Sequence, residues 1–203
     1  MPKTQFPPSI TSRPVYGELE ARSGGGHLMI ADAEGAEAIL DLAKSVDQGF
    51  WAKAHIIYIP KTTGTKYSSQ LEELGAGQYY AGPSYEAAQG RIRRALQDCH
   101  MGTQVYLTGT ESLMGQAMAE ATAAGIPHTA IQTEHRGSTA RRMQCVHCKG
   151  ITEDVTTDPF ECSHCGLSLF VRDHYSRRLA AFQGVRVDAE DPGNIPEKVE
   201  LFK

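Results

Sequence analysis

The sequence predicts an α/β protein, in which a small three-layer domain on a parallel sheet is followed by a zinc-ribbon-like segment with four cysteines. Short apolar strands alternate with amphipathic helices between about residues 25 and 138, which is typical of βαβ units. Beyond residue 138 the chain is rich in Cys, His and Arg. We therefore predict an extended N-terminal arm over 1–24, an α/β domain over 25–138, and a metal-ribbon segment with a C-terminal tail over 139–203.

The elements of the α/β domain follow from hydrophobic periodicity. Apolar, often β-branched runs predict strands at 27–31, 55–59, 78–81, 104–107 and 129–133. Helical spacing of apolar residues predicts helices at 35–46, 69–74, 85–99 and 112–124. Short, continuously apolar strands fit a sheet that is covered by helices on both faces.

Composition and charge exclude several partners. The chain has 203 residues, 22% of them charged, and a formal net charge of -4, so it offers no broad surface for polyphosphates and nucleic acid is not an expected partner. No apolar run approaches the roughly 20 residues that span a bilayer, and residues 1–26 lack the apolar stretch of a signal peptide. We therefore expect no membrane association and a cytoplasmic location, where thiols stay reduced.

The N-terminal residues, rich in Pro, Ser and Gly, predict a tail or an arm that wraps a partner. The run Gly24–Gly25–Gly26 precedes the first strand. A phosphate cradle would instead follow a strand and open a helix, so the run is interpreted as a hinge. After the first strand come Asp32 and Glu34, whose carboxylates would repel a pyrophosphate from the helix N-terminus. This argues against a dinucleotide in the usual place.

Two CxxC pairs predict a metal site. They are Cys145 with Cys148 and Cys162 with Cys165, and residues 149–161 between them suit two short strands around a turn at 158–159. Two such turns give a tetrahedral site of four sulfurs, which suits zinc or a single iron. All positions are filled, so the site is closed to substrate and structural zinc is favoured. Iron in an electron carrier is the alternative, whereas disulfides are disfavoured in a reducing compartment.

No catalytic or cofactor-binding residue is predicted. Neither GxSxG nor HExxH occurs. Asp173 followed by His174 can orient an imidazole, but a solvated polar loop is the preferred interpretation. We expect His147 and His164 to be exposed turn residues, and Cys99 to pack at a helix end rather than react. Arginines flank the metal segment and form either a partner surface or a charged rim: Arg136, Arg141, Arg142, Arg172, Arg177 and Arg178.

The stretch VYLTGTESLMGQAMAEATAAGIPHTAIQTE at 105–134 resembles the end of the nucleotide-binding half of ferredoxin reductases. In that family a strand ends in Cys-Gly-Pro and is followed by a helix, a Gly, a strand and a Glu. The stretch at 55–74 is similar to the family's second strand and helix. The corresponding positions here are Gly109, Met114, Ala117, Gly125 and Glu134. Thr108 and Thr110 replace the Cys and Pro, the glycine-rich turn after the first strand is missing, and no flavin-binding barrel is expected. The domain thus resembles a reductase half that has lost its nucleotide.

The stretch CVHCKGITEDVTTDPFECSHCGLSLFVRDHYSRRLAAFQGVRVDAE at 145–190 resembles the small cysteine-bearing subunit of bacterial dimethylamine monooxygenase. This resemblance implies a multi-subunit enzyme that uses NADPH and oxygen to convert dimethylamine to methylamine and formaldehyde. It also implies haem, flavin and an iron–sulfur cluster on the partner subunits. Our chain would then be a supporting subunit without activity of its own, docked against the haem-bearing subunit or the flavin/iron–sulfur reductase subunit.

Three alternatives remain at this point. The first is a rubredoxin-like iron electron-transfer protein, and the second is a zinc-ribbon module that binds nucleic acid, which the acidic balance disfavours. The third is a working NAD(P)H-binding domain, which Asp32 and Glu34 disfavour.

Overall fold

Five parallel strands form the centre of the larger part of the molecule. The computed structural model describes residues 13–61 and 66–203. The sheet has the order β3-β2-β1-β4-β5, and every neighbouring pair is parallel. Its strands are β1 Gly26–Asp32, β2 Ala54–Ile59, β3 Gln78–Ala81, β4 Thr103–Gly109 and β5 Ile131–His135. The α/β prediction is confirmed.

Helices cover both faces of this sheet. They are α1 Gly35–Ala43, α2 Gln48–Trp51, α3 Lys66–Glu72, α4 Tyr85–Gln97 and α5 Glu111–Ala123. On one face α4 and α5 bury Ile92 and Met114 against the strands. On the other, α1 and α3 bury Ile39 and Leu71, together with Trp51 of α2. Burial on both faces explains why the strands are continuously apolar.

Some boundaries differ from the predicted ones because local hydrogen bonds end the elements early. Helix α1 stops at Ala43, since Ser45 donates its backbone N–H and its hydroxyl to the Leu42 carbonyl. The last parallel strand begins at Ile131 rather than at residue 129. Its predicted start is a 3-10 turn in which the Ala130 N–H bonds back to the Pro127 carbonyl at 2.9 Å.

The described part of the N-terminal arm lies along the outer edge of β5. Gly17 donates its N–H to the Thr133 carbonyl at 2.9 Å. The N–H groups of Leu19 and Glu20 bind side-chain oxygens of Glu134 and Gln132 at 2.7 and 2.8 Å. Residues 13–24 therefore bind the chain's own sheet, and any partner wrapping by residues 1–12 lies outside the described residues. The domain boundaries stay a prediction.

A second, mixed sheet follows the parallel one. It has the order β7-β6-β11-β10-β9, and β6 and β11 are parallel. Its strands are β6 Arg141–Cys145, β7 Ile151–Val155, β9 Phe160–Glu161, β10 Ser168–Ser176 and β11 Ala181–Arg186, while β8 Thr157–Asp158 pairs with β12 Val199–Glu200. The loop predicted at Asp173–His174 is wrong. These residues lie in β10, at a bulge between Arg172 and Tyr175, because the pairing of β10 with β11 continues on both sides of them.

No helix in the described ranges is long and apolar enough to cross a membrane.

Candidate metal centre and the crevice of the parallel sheet

The four predicted sulfurs converge at one point of the second sheet. The Sγ atoms of Cys145, Cys148, Cys162 and Cys165, here called the cysteine quartet, all lie within 4.8 Å of one another. Cys148 Sγ lies 3.7 Å from Cys162 Sγ, and Cys145 Sγ lies 3.9 Å from Cys165 Sγ. Four sulfurs around a single zinc would be separated by about 3.8 Å. The quartet can therefore hold one metal ion, and all of its cysteines are free thiols.

Both CxxC turns have the same backbone hydrogen bonding. In each turn the first cysteine donates its backbone N–H to the carbonyl of the residue five positions later. Its own carbonyl accepts the N–H of the residue four positions later. In both turns the residue after the second cysteine has a left-handed backbone conformation, with a positive φ. The bonds are Cys145 N to Gly150 O and Lys149 N to Cys145 O in the first turn, and Cys162 N to Leu167 O and Gly166 N to Cys162 O in the second. The left-handed residues are Lys149 (φ 64°) and Gly166 (φ 72°).

Gly150 and His164 join the two turns. The Gly150 N–H lies 3.4 Å from Cys148 Sγ. A Cβ on Gly150 would lie 2.5 Å from the His164 ring. His164 Nε2 donates to the Ile151 carbonyl at 2.9 Å. His164 therefore supports the fold of the hairpin, and His147 is exposed.

The electrostatics of the quartet favour a bound cation. Burial raises the pKa of Cys162, but the backbone N–H groups of Cys165 and His164 outweigh it and lower that pKa to about 6. The Leu167 N–H lowers the pKa of Cys165, yet burial and the neighbouring sulfurs raise it to about 12. Without a cation, ionising one thiol thus hinders ionisation of the next. Four thiolates at these distances need a positive ion between them.

A second feature lies at the carboxyl edge of the parallel sheet, between β1 and β4. In open α/β sheets, ligands bind where the strand order reverses in this way. Here that point holds Asp32, whose side chain has no exposed surface. Its carboxylate accepts the Thr110 N–H at 2.7 Å, the Thr110 hydroxyl at 2.6 Å and the Lys61 ammonium at 2.6 Å. An anion built into the chain thus occupies the N-terminus of α5.

Gly109 and Thr110 are matched to this buried carboxylate. A Cβ on Gly109 (φ 120°) would lie 1.9 Å from Asp32 Oδ1. A proline at position 110 would lack the N–H that Thr110 donates. Thr110, which stands where the reductase pattern has Pro, therefore supplies the hydrogen-bond donor that Asp32 needs. Sequence reasoning assigned Asp32 only a repulsive role and missed this pairing, since the partners are 78 positions apart.

The cavity in front of Asp32, here called the carboxyl-edge crevice, has a volume of about 280 Å³. Among the described residues, its charged lining consists of the acids Asp32, Glu86, Glu153 and Asp154 and one cation, Lys61. Glu153 and Asp154 belong to β7 of the second sheet. A predominantly anionic wall with a carboxylate at the helix N-terminus does not fit a pyrophosphate.

Together, fold and site define an α/β protein with a parallel five-stranded sheet and an attached four-cysteine ribbon sheet. The chain belongs to the family described as dimethylamine monooxygenase subunit DmmA-like. The family's N-terminal domain matches residues 8–131 and its C-terminal domain matches residues 142–185. The resemblance seen in the sequence is confirmed.

One curated relative is the heme-dependent oxidative N-demethylase delta subunit of Ectopseudomonas mendocina (strain ymp). It is 33% identical over 110 residues, which cover 54% of our chain and 63% of that protein. The chain thus spans less than two thirds of this relative.

Solved structures with a similar arrangement share little sequence with our chain. The flavohemoglobin from Malassezia yamatoensis with bound FAD and heme has a TM-score of 0.42 at 16% identity, over 56% of our chain and 32% of that one. An intact type IV self-sufficient cytochrome P450 monooxygenase has a TM-score of 0.44 at 20% identity, and the match covers 79% of our chain and 20% of that one. These similarities say nothing about function.

Proposed function

We propose that this chain is a supporting subunit of a cytoplasmic, multi-subunit, haem-dependent oxidative N-demethylase. The whole enzyme would use NADPH and oxygen to convert dimethylamine to methylamine and formaldehyde. Haem, flavin and an iron–sulfur cluster would reside on partner subunits, and neither nucleic acid nor membrane would be a partner. The observation that carries the proposal is the DmmA-like match over both parts of the chain.

The carboxyl-edge crevice supports a non-catalytic role. In a nucleotide-binding sheet the N–H groups at this helix N-terminus would bind phosphate. In this chain Thr110 gives its N–H and its hydroxyl to Asp32, and Lys61 neutralises the same carboxylate. NADPH would accordingly bind to another subunit.

Structural zinc in the cysteine quartet supports a bracing role. Cys145 and Cys162 are buried in the small apolar core of the second sheet, beside Met143, Phe160 and Phe182. A core of this size is marginal without a staple, and metal binding supplies folding free energy to such units. A closed site of four thiolates leaves no coordination position for substrate.

Association with the partner subunits is tested by co-expressing the chain with the haem-bearing and the flavin/iron–sulfur subunits, followed by native mass spectrometry. We expect a complex that contains all of them, and a loss of dimethylamine-dependent NADPH oxidation when our chain is omitted. A chain that never associates, with full activity in its absence, would contradict the proposal.

The metal and the nucleotide are tested on the isolated full chain. Elemental analysis should give one zinc per chain in a colourless protein. Red protein with iron would instead support a rubredoxin-like electron carrier, the second candidate, because four thiolates suit both metals. Calorimetric titration with NADPH should give no binding, and micromolar affinity would overturn our interpretation of Asp32.

A further inference from the structure

A second cavity lies at the amino edge of the parallel sheet, opposite the carboxyl-edge crevice. It has a volume of about 390 Å³ and is bounded by the first residues of β1 and β4, the start of β2 and the last turns of α4. We call it the amino-edge cavity. Most titratable side chains in its lining are of basic residue types: Lys53, His55, Arg91, Arg94 and His100, with Asp98 as the acid.

Two of these cations have no acidic partner in the described part of the chain. Arg94 is paired with Asp98 at 3.0 Å, so these two charges cancel. Lys53 is exposed, lines the cavity and makes no ion pair with a described residue. The Arg91 guanidinium carbon lies 4.9 Å from the Tyr80 ring centroid. Lys53 and Arg91 therefore leave an uncompensated double positive charge in a concave site.

Next to these cations, the backbone of the glycine run at 24–26 lies close to the backbone of the turn before β4. The Gly25 N–H donates to the Gly102 carbonyl at 3.2 Å, and a Cβ on Gly24 would lie 2.7 Å from that oxygen. The glycine run is thus packed against the turn before β4, and its interpretation as a hinge is corrected. Gly25 and Gly26 line the cavity without a side chain, which keeps it open.

His55 also lines this cavity. Its Nε2 is buried and has no hydrogen-bond partner among the described residues. Burial, followed by the positive charge of Arg91, lowers the pKa of His55. The imidazole is therefore neutral at pH 7 and adds no further charge to that of Lys53 and Arg91.

We propose that the amino-edge cavity binds a small phosphate monoester dianion. Its double negative charge would neutralise Lys53 and Arg91, and guanidinium and ammonium groups are the usual protein partners of phosphate. The cavity lies within the range of about 300–1,000 Å³ found for small-molecule pockets, so an organic group fits beside the phosphate. This inference concerns the opposite edge of the sheet and stands independently of the demethylase assignment.

The test is calorimetric titration of the full chain with inorganic phosphate and with glycerol phosphate at constant ionic strength. The double variant Lys53→Gln/Arg91→Gln is compared with Lys44→Gln/Arg172→Gln, which removes the same charge from exposed positions outside the cavity. We expect saturable binding to the wild type, weakened at least about tenfold in the cavity variant because two charge-assisted contacts are lost. The control variant should bind as the wild type does.

Lys53→Gln alone tests the proposal if the double variant misfolds, since Lys53 is exposed. Absence of saturable phosphate binding to the wild type would overturn the proposal, as would equal losses in the cavity and control variants. Displacement of phosphate by a polyglutamate peptide but not by glycerol phosphate would also overturn it, since that result indicates an acidic protein partner.

Discussion

Asp32 is a charged side chain without exposed surface, and its stability depends on the groups around it. The Thr110 N–H, the Thr110 hydroxyl and the Lys61 ammonium all reach its carboxylate within 2.7 Å. Burying a carboxylate is costly unless such partners satisfy it. These contacts tie the end of β1 to the start of α5.

Asp32→Asn should lower the free energy of unfolding by about 2 kcal/mol, because an amide of the same shape loses the charge-assisted bonds. Urea denaturation measures this loss. The matched control is Asp41→Asn, in which a half-exposed carboxylate loses its ion pairs with Lys44 and Arg136, and we expect little change there because exposed ion pairs contribute little. Equal effects of the two variants would contradict the role assigned to Asp32.

His27 makes the stability of the fold depend on pH. Its ring stacks on Phe50 with centroids 3.8 Å apart and lies 3.5 Å from the Tyr106 hydroxyl. Burial, and then the charge of Lys53, lowers its pKa. The folded state thus holds His27 neutral, whereas the unfolded chain takes up a proton near the ordinary value of about 6.5.

The free energy of unfolding should therefore fall as pH drops from about 7.5 to 5.5, since the unfolded state binds more protons there. His27→Gln should reduce this slope without abolishing it, because the pKa of His55 is also lowered. Urea titrations at both pH values measure the slope. An unchanged slope in the variant would show that His27 does not carry the effect.

At the scale of elements, the cysteine quartet connects the two halves of the second sheet. Its cysteines lie at the end of β6 and in the turns that flank β7 and β9. Cys145→Ser should therefore destabilise the chain beyond about residue 139 and spare the parallel sheet, since metal binding contributes the folding free energy of such units.

Limited proteolysis of Cys145→Ser should cut first in the C-terminal third. Cys99→Ser is the control, because this thiol lies just beyond α4, outside the quartet, and donates to the Ala95 carbonyl at 3.3 Å. First cleavage within the parallel sheet of the Cys145 variant would refute a division of the molecule into two stabilising units.

The elements also show how far sequence can predict this fold. The central parallel strands were predictable because burial on both faces makes them continuously apolar, as in Ala54–Ile59. The edge strand Gln78–Ala81 is partly exposed, and its bounds were nevertheless predicted to the residue. The second sheet was largely missed. Its strands are partly exposed, as in Ile151–Val155, and Arg141–Cys145 pairs with the distant Ala181–Arg186. The four cysteines were found because their spacing is local, whereas the Asp32–Thr110 contact is not.

At the scale of the whole molecule, α5 packs directly against the second sheet. Gly115 faces the Tyr175 hydroxyl, and a Cβ on this glycine would lie 2.1 Å from that oxygen. Nearby, the Ser112 hydroxyl donates to Glu153 at 3.2 Å. Arg13 of the N-terminal arm also pairs with Asp173 of the second sheet. With the cysteine quartet intact, the two sheets should therefore unfold together, whereas loss of a quartet cysteine should unfold the second sheet first.

Gly115→Val should separate the two sheets, because its side chain displaces Tyr175 from the helix. We expect calorimetry to record one unfolding transition for the wild type and two for the variant. Gly90→Val makes the same change on α4, where no atom lies within 4 Å of the added Cβ. That control should keep a single transition, and a single transition in both variants would mean that the contact does not couple the sheets.

The arm along β5 has a consequence for self-assembly. Exposed strand edges are templates on which sheets grow into fibres. Residues 13–24 shield β5, so among the described strands of the parallel sheet only β3 presents a bare edge. Growth of the parallel sheet through that edge would end with a pair of molecules, and unlimited growth of this sheet would first require the arm to be released.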